Sequence, residues 1–423
     1  MNKKVRSITN SKFIKSIFQL AFGSIIAQLV TILCSPILTR LYSVEDMGSY
    51  ALILSIVTIF GSVINGKYDY AIVSTKNDED VEKLIIASVY FSLVALVTIA
   101  FGFSVVLFFN NQLFQQLGYW SYFSLLLLFF VGLTNILTAF NNRNKEYKLI
   151  SSVYVLRTSI QNSMLVLSGF FGLGIPGMML SQFFANFFGI KRQSRGLKKS
   201  FSNFKSFSFR LSVKTMKKYK NFPLFSLPAN LINNLSYSIL NFFISGLYGL
   251  TTLGFYSMSF RILGLPLSLV SVNVSKVFFR DAAEEYKDTS TFTKSLYRST
   301  LILLLIAIPM CVVLVLLSPF LFRVFFGREW YVAGEYARVL APMFSIRLVV
   351  SGLTPAFIIS GKQKLELVFQ TLFLFSSVGT YFVARLLELP VKSFLGIYSL
   401  LNFIIYILLY LVIIKLSKGE KND

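Results

Sequence analysis

Residues 16–39 read SIFQLAFGSIIAQLVTILCSPILT, a run without a charged side chain. At 1.5 Å of rise per residue, a helix of this length exceeds the roughly 30 Å hydrocarbon core of a bilayer. The run is too long for the apolar region of a signal peptide, and no small-residue cleavage site follows it. It therefore reads as an uncleaved first transmembrane helix. Lys3, Lys4, Arg6, Lys12 and Lys15 stand directly before it, which places the amino end on the cytoplasmic side.

The rest of the chain repeats the pattern. Hydrophobic residues make up 55% of the 423 positions and charged residues only 14%, against about 25% charged in an average soluble domain. Charge-free spans predict twelve helices. The first six cover about 16–39, 47–66, 84–109, 118–141, 149–169 and 174–190. The second six cover about 223–247, 252–275, 296–317, 337–360, 366–386 and 393–415. The expected fold is all-α and membrane-embedded.

Loop charge orients this layout. With a cytoplasmic amino terminus, 32 of the 41 Lys and Arg fall on the cytoplasmic side, and five (Arg40, Arg323, Arg328, Arg385, Lys392) on the other. Arg157, Arg261, Arg338 and Arg347 remain within or at the ends of helices. The net charge of +23 is thus an orientation signal and a surface for anionic lipid, rather than a nucleic-acid footprint. The densest stretch, Lys191 to Phe222, holds eleven basic residues and no acidic one, interleaved with aromatics. Between two membrane helices it reads as an interfacial linker.

The linker divides the chain into residues 1–190, the basic cytoplasmic segment 191–222, and residues 223–423. The two halves repeat. Leu41-Tyr42, Gly48 and Tyr50 recur at a constant offset of 206 as Leu247-Tyr248, Gly254 and Tyr256. Six helices is an even number, so both halves enter the membrane from the same side, as parallel repeats.

The same offset relates two polar stripes. Ser24, Gln28, Thr31, Ser35 and Thr39 lie on one face of the first helix, and Ser226, Asn230, Asn234, Asn241 and Ser245 on one face of the seventh. Such groups pack transmembrane helices together, or they line a wet cavity where amides and hydroxyls bind sugar hydroxyls. Two matched stripes favour the second reading.

Arg157, Arg261 and Arg347 lie well inside their helices, where a cation costs roughly 2.5–3.5 kcal/mol on insertion scales. Arg261 heads a small, polar face with Gly264, Ser268, Ser271 and Ser275, and Arg157 shares its face with Gln161 and Ser168. Glu366 stands at the very start of the 366–386 span, and no Asp or Glu lies further inside any predicted helix to neutralise them. Snorkelling to an interface is the alternative, but an unpaired buried guanidinium suits an anionic ligand, phosphate above all.

Other chemistries find little support. Histidine is absent, removing the commonest general base and metal ligand, and Cys34 and Cys311 indicate neither a disulfide framework nor a metal site. Gly61-Ser-Val-Ile-Asn-Gly66-Lys67 has the spacing of a phosphate-binding loop, but Tyr68 replaces the required Ser or Thr and the motif ends an apolar helix.

At Ser35-Pro-Ile-Leu-Thr-Arg40-Leu-Tyr, Asp46-Met-Gly48 and Lys67-Tyr-Asp69-Tyr-Ala-Ile72-Val, the chain resembles the Wzx-type O-antigen and capsule repeat-unit flippases of the multidrug/oligosaccharidyl-lipid/polysaccharide exporter superfamily. The resemblance implies two six-helix bundles around a V-shaped central cavity, working by alternating access. It implies a non-enzymatic carrier in the bacterial inner membrane, both termini cytoplasmic, moving undecaprenyl-diphosphate-linked oligosaccharides to the outer leaflet. A polysaccharide polymerase and a chain-length regulator are the protein partners it implies. Asp69 stands where that family often has Glu.

In this reading Arg40 and Arg261 attract the pyrophosphate, Arg157 and Arg347 extend the positive field to the glycan, and Gln28, Asn230, Asn234 and Asn241 contact sugars, with Lys67 and Asp69 secondary. No cofactor is expected, and the sequence shows no site for a coupling proton or sodium ion. The nearest rival is a multidrug cation exporter of the same superfamily, which calls for a carboxylate in the membrane.

Overall fold

The structure is a computed structural model that describes residues 23–75, 77–109, 120, 122–197 and 209–419. The basic residues before 23, the start of the first expected helix, residues 118, 119 and 121 of the fourth and linker residues 198–208 lie outside the described residues.

Among the described residues the chain is helical, without a strand. The helices are α1 (Gly23–Leu41), α2 (Val44–Gly61), α3 (Tyr68–Ser74), α4 (Asp78–Phe109), α5 (Phe123–Arg143), α6 (Tyr147–Phe170), α7 (Gly174–Gln193) and α8 (Phe209–Lys218). They continue as α9 (Leu227–Pro266), α10 (Val272–Thr289), α11 (Thr293–Phe326), α12 (Tyr331–Ser351), α13 (Ala356–Ile359), α14 (Gln363–Leu386) and α15 (Val391–Ser417).

Each expected span holds a helix among its described residues, although the second ends at Gly61 and the tenth is broken by a turn after Ser351. Nine helical segments among the described residues are long and apolar enough to cross a membrane. One of them, Phe222–Thr289, holds two passages, because Gly249 (φ 83°, ψ 175°) leaves helical geometry inside α9; only glycine adopts that region freely. Helices α6 and α7 are long enough but more polar. Helices outrun the charge-free windows at their polar ends. Carboxylates expected in loops, Asp69, Asp80 and Glu335, therefore sit on helices, and Glu366, at the edge of its expected span, lies inside α14, which corrects the expectation that no acid lies within one.

The chain forms two compact units, Met1–Asn234 and Leu235–Asp423. In the first, α3 packs against α4 and α5, burying Tyr68, Ala71 and Ile72 against Leu84, Ile136 and Phe140. The glycine-rich turn before it is pinned. Asn65 donates from Nδ2 to Ser92 Oγ at 2.8 Å and to the Gly132 carbonyl at 3.1 Å, and Asn135 donates to the Gly61 carbonyl at 2.9 Å. Such interhelical bonds are worth about 0.6–2 kcal/mol each in a membrane. The turn follows a helix, not a strand, and its polar groups serve the packing of α4 and α5.

Helix α8, from the end of the linker, docks on the same corner. Lys218 Nζ lies 2.6 Å from Asp80 Oδ2, and Tyr219 donates its hydroxyl to that oxygen at 3.0 Å. Tyr68 donates to the Met216 carbonyl at 3.4 Å.

The internal repeat has a structural counterpart. Tyr42 donates its hydroxyl to the Leu165 carbonyl on α6 at 2.7 Å, and Tyr248 donates to the Leu389 carbonyl just after α14 at 2.8 Å. Helices α6 and α14 are the fifth crossings of their halves. Each repeated tyrosine therefore ties the end of its half's first crossing to the fifth.

In the second unit α11 packs on α12 at van der Waals limits. A Cβ added to Gly334 would stand 2.5 Å from Pro319 Cα and 2.7 Å from the Ser318 carbonyl oxygen. The absent side chain lets the two backbones touch, as small residues do at membrane-helix interfaces.

Candidate functional site

A cavity of about 520 Å³ lies within the second unit. Its walls come from both arms of α9, from α10, α12, α14 and α15. The small, polar face read from the sequence forms one wall: Gly264, Ser268, Ser271 and Ser275 all line it. The stretch that carries this face contains Pro266, which lacks an amide hydrogen and crowds the carbonyl four residues back. The following five residues, Leu267–Ser271, relax into a wider π-helical turn. Ser271 is held in place by donating to the Leu348 carbonyl at 2.7 Å.

Arg347 enters the same cavity from α12. Its guanidinium carbon stands 4.7 Å from the centre of the Tyr237 ring, 5.6 Å from Phe260 and 5.4 Å from Phe344. Aromatic faces hold a cation while leaving its N–H donors available. Tyr256, Tyr398 and Tyr406 lie within electrostatic reach. Lys276, from α10, lines the cavity as well. No carboxylate is among the described residues lining it. Two further wall atoms, Gln370 Oε1 and Ser351 Oγ, are buried without a hydrogen-bond partner. Two cations, ring faces and open polar atoms converge on one space.

Arg261 lines a smaller neighbour of about 130 Å³ with Asn241 and Ser257. Tyr237 and Phe260 line both spaces, so the structure groups Arg261, Asn241 and Arg347 around one pair of rings.

The remaining candidates sit elsewhere. Arg157, in the first unit, donates to Asn186 Oδ1 and lays its aliphatic stem over Gly189. Its companions Gln161 and Ser168 bond to Tyr50 and Tyr42. Arg40 is exposed at the end of α1, with Nη1 3.5 Å from the Pro36 carbonyl. Gln28 is half-buried on α1, where Thr31 and Ser35 turn their hydroxyls back to carbonyls of their own helix. Asn230 caps the Ser226 carbonyl at 2.8 Å, and Asn234 donates to Ser62 Oγ at 2.6 Å and the Asn230 carbonyl at 2.8 Å.

Lys67 is buried, takes a left-handed backbone (φ 61°) and places Nζ 4.3 Å from the centre of the Tyr70 ring. Asp69 is buried with Oδ1 unpartnered. Burial pushes its carboxyl above the ordinary value, and the neighbouring Lys67 offsets part of the rise.

Sequence reasoning missed Lys276, assigned to a cytoplasmic loop, and it missed Gln370 and the tyrosines. Regular periodicity gave no signal for Lys276, since it stands about 100° around the helix from Ser275; the π-helical turn at Leu267–Ser271 widens the face that lines the cavity.

Residues 37–335 match the polysaccharide biosynthesis protein family. The chain belongs to that family. Over 219 residues it is 26% identical to the teichuronic acid biosynthesis protein TuaB of Bacillus subtilis (strain 168), a match spanning 50% of this chain and 44% of TuaB. Its fold is that of several solved membrane proteins. The lipid II flippase MurJ in an inward closed conformation superposes with a TM-score of 0.73 at 14% identity, over 96% of this chain and 90% of that one. A MOP superfamily transporter from Pyrococcus furiosus gives a TM-score of 0.64 at 15% identity, over 96% and 97%. A multidrug resistance MATE transporter in its outward-facing conformation also gives 0.64, at 15% identity, over 96% and 97%. The twelve-helix, multi-pass membrane fold and the family-level resemblance of the early motifs agree with these matches.

Proposed function

We propose that this polysaccharide biosynthesis protein is a flippase, moving polyprenyl-diphosphate-linked oligosaccharide units across the cytoplasmic membrane by alternating access, without covalent chemistry. The convergence of Arg347 and Lys276 in a cavity with no carboxylate among its described lining residues supports the reading. Guanidinium and ammonium groups in a low-dielectric site favour phosphate or uronate, while Gln370 and Ser351 offer hydrogen bonds to sugar hydroxyls. The polyprenyl tail stays in lipid, so only the polar head needs this environment. Loop charge supports cytoplasmic termini and loading from that side.

A multidrug cation exporter is the rival reading, and a cavity holding two cations disfavours it electrostatically. The test is a deletion strain complemented with wild type or with the Lys276→Ala/Arg347→Ala pair. Flipping predicts loss of surface glycan with build-up of the intact lipid-linked intermediate, restored by wild type alone. Normal surface glycan together with lost resistance to cationic dyes would transfer the assignment to the exporter.

A further inference from the structure

A second cavity of about 380 Å³, within the second unit between α10 and α11, has no role in the reading above and stands independently of it. Arg280, Asp281 and Asn273 line it from α10, and Arg298 and Ser299 from α11. Val277 and Ile302 complete it, and both are exposed large apolar residues. We propose that this cavity binds the phosphodiester head group of an anionic membrane phospholipid.

Charge, depth and shape carry the argument. Arg280 donates from Nε and Nη2 to Asp281 Oδ1 at 2.9 and 2.7 Å. That pairing neutralises one arginine, fixes its plane and leaves Nη1 uncommitted. Arg298 is exposed and forms no ion pair with a carboxylate among the described residues. The cavity therefore holds one net positive charge with several free N–H donors, a match for a singly charged phosphodiester.

Depth follows from length. The 34 residues of α11 span about 51 Å at 1.5 Å per residue, so its first turns lie beyond a hydrocarbon core of roughly 30 Å. Arg298, in the second turn, falls at head-group level. Val277 and Ile302 then face the outermost acyl carbons. A soluble phosphate needs no such apolar flank, whereas a lipid does. Basic pockets between transmembrane helices bind anionic lipid heads in this way.

The experiment is native mass spectrometry of the full-length protein released from nanodiscs of mixed phosphatidylglycerol and phosphatidylcholine. It compares wild type, Arg280→Gln/Arg298→Gln, Arg280→Lys/Arg298→Lys and Arg347→Ala. Wild type and Arg347→Ala are expected to retain phosphatidylglycerol selectively. The Gln pair is expected to bind it about tenfold more weakly, the loss of charge-assisted hydrogen bonds, and the Lys pair to recover part of the selectivity. The Lys pair also shows that the site tolerates substitution without unfolding. Equal phosphatidylglycerol retention by wild type and the Gln pair would overturn the proposal. So would competition in which farnesyl diphosphate displaces phosphatidylglycerol from wild type at equimolar concentration, because the site would then belong to the polyprenyl diphosphate.

Discussion

The guanidinium carbon of Arg347 lies 4.7 Å from the centre of the Tyr237 ring, and no carboxylate is among the described residues that line its cavity. The cation is thus surrounded by aromatic rings, which attract it without neutralising its charge. Arg347→Ala is expected to lower glycan export by about tenfold or more, the scale of one lost charge-assisted contact. Its Tm should stay close to wild type, because no buried anion is orphaned. Arg347→Lys should restore export only in part, since a point charge on a flexible stem neither stacks on Tyr237 nor binds phosphate bidentately. Complementation assays and melting curves on the same variants check both halves. A variant that melts far below wild type would show that Arg347 holds the fold rather than ligand.

The paired tyrosines offer a test of the repeat. Tyr42→Phe and Tyr248→Phe each remove a hydroxyl that bonds a carbonyl on, or just after, the fifth crossing of its own half. Each is expected to cost about 0.5–1.5 kcal/mol. The Tyr42 variant should suffer more, because its hydroxyl also lies 2.8 Å from Ser168 Oγ. Thermal unfolding in detergent measures the difference, and a larger loss at Tyr248 would contradict the assignment.

Much of this was legible in the sequence, and the boundary of legibility is physical. Charge-free runs locate helices because the bilayer enforces them. Their ends are less clear, since helix geometry continues past the hydrocarbon edge into charged turns, as Lys276 and Glu335 show. The stripe Gly264, Ser268, Ser271, Ser275 pointed to a cavity wall because helical periodicity is local. Which arginine faced that wall was not local. Arg157 and Arg347 look alike in sequence, yet one bonds Asn186 inside the first unit and the other is held by rings in a cavity. The tyrosines escaped because an aromatic in an apolar helix carries no distinguishing pattern.

Gly334→Ala should be severely destabilising. The added methyl meets the backbone of Ser318 and Pro319 rather than a side chain that can move aside. Overpacking of this kind costs about 1–3 kcal/mol and more when backbone must shift. Expression level and Tm are the readouts. Gly264→Ala provides the contrast, since nothing lies within 4 Å of its added Cβ, and a Tm near wild type is expected for it.

Asp69 links stability to pH. Burial raises its folded value above the ordinary 3.8 of a free carboxyl, so between those two values the unfolded chain binds fewer protons than the folded one. Stability therefore falls as pH rises through that window. Asp69→Asn removes the ionised form, and its Tm should hold level where that of wild type declines. Parallel slopes for the two proteins would show that the carboxyl does not titrate in this way.

Pro266 interrupts the hydrogen-bond ladder at the point where the second unit's cavity wall turns from Gly264 to Ser268. A helix bends by breaking or stretching such bonds, and here one is already missing and the next turn is already wide. Changing the angle at this joint costs less than at any intact turn nearby. Lys276 stands beyond the joint, on α10, whereas Arg347 is anchored on α12. A change of angle at this joint would therefore alter the separation of the two cations without melting a helix.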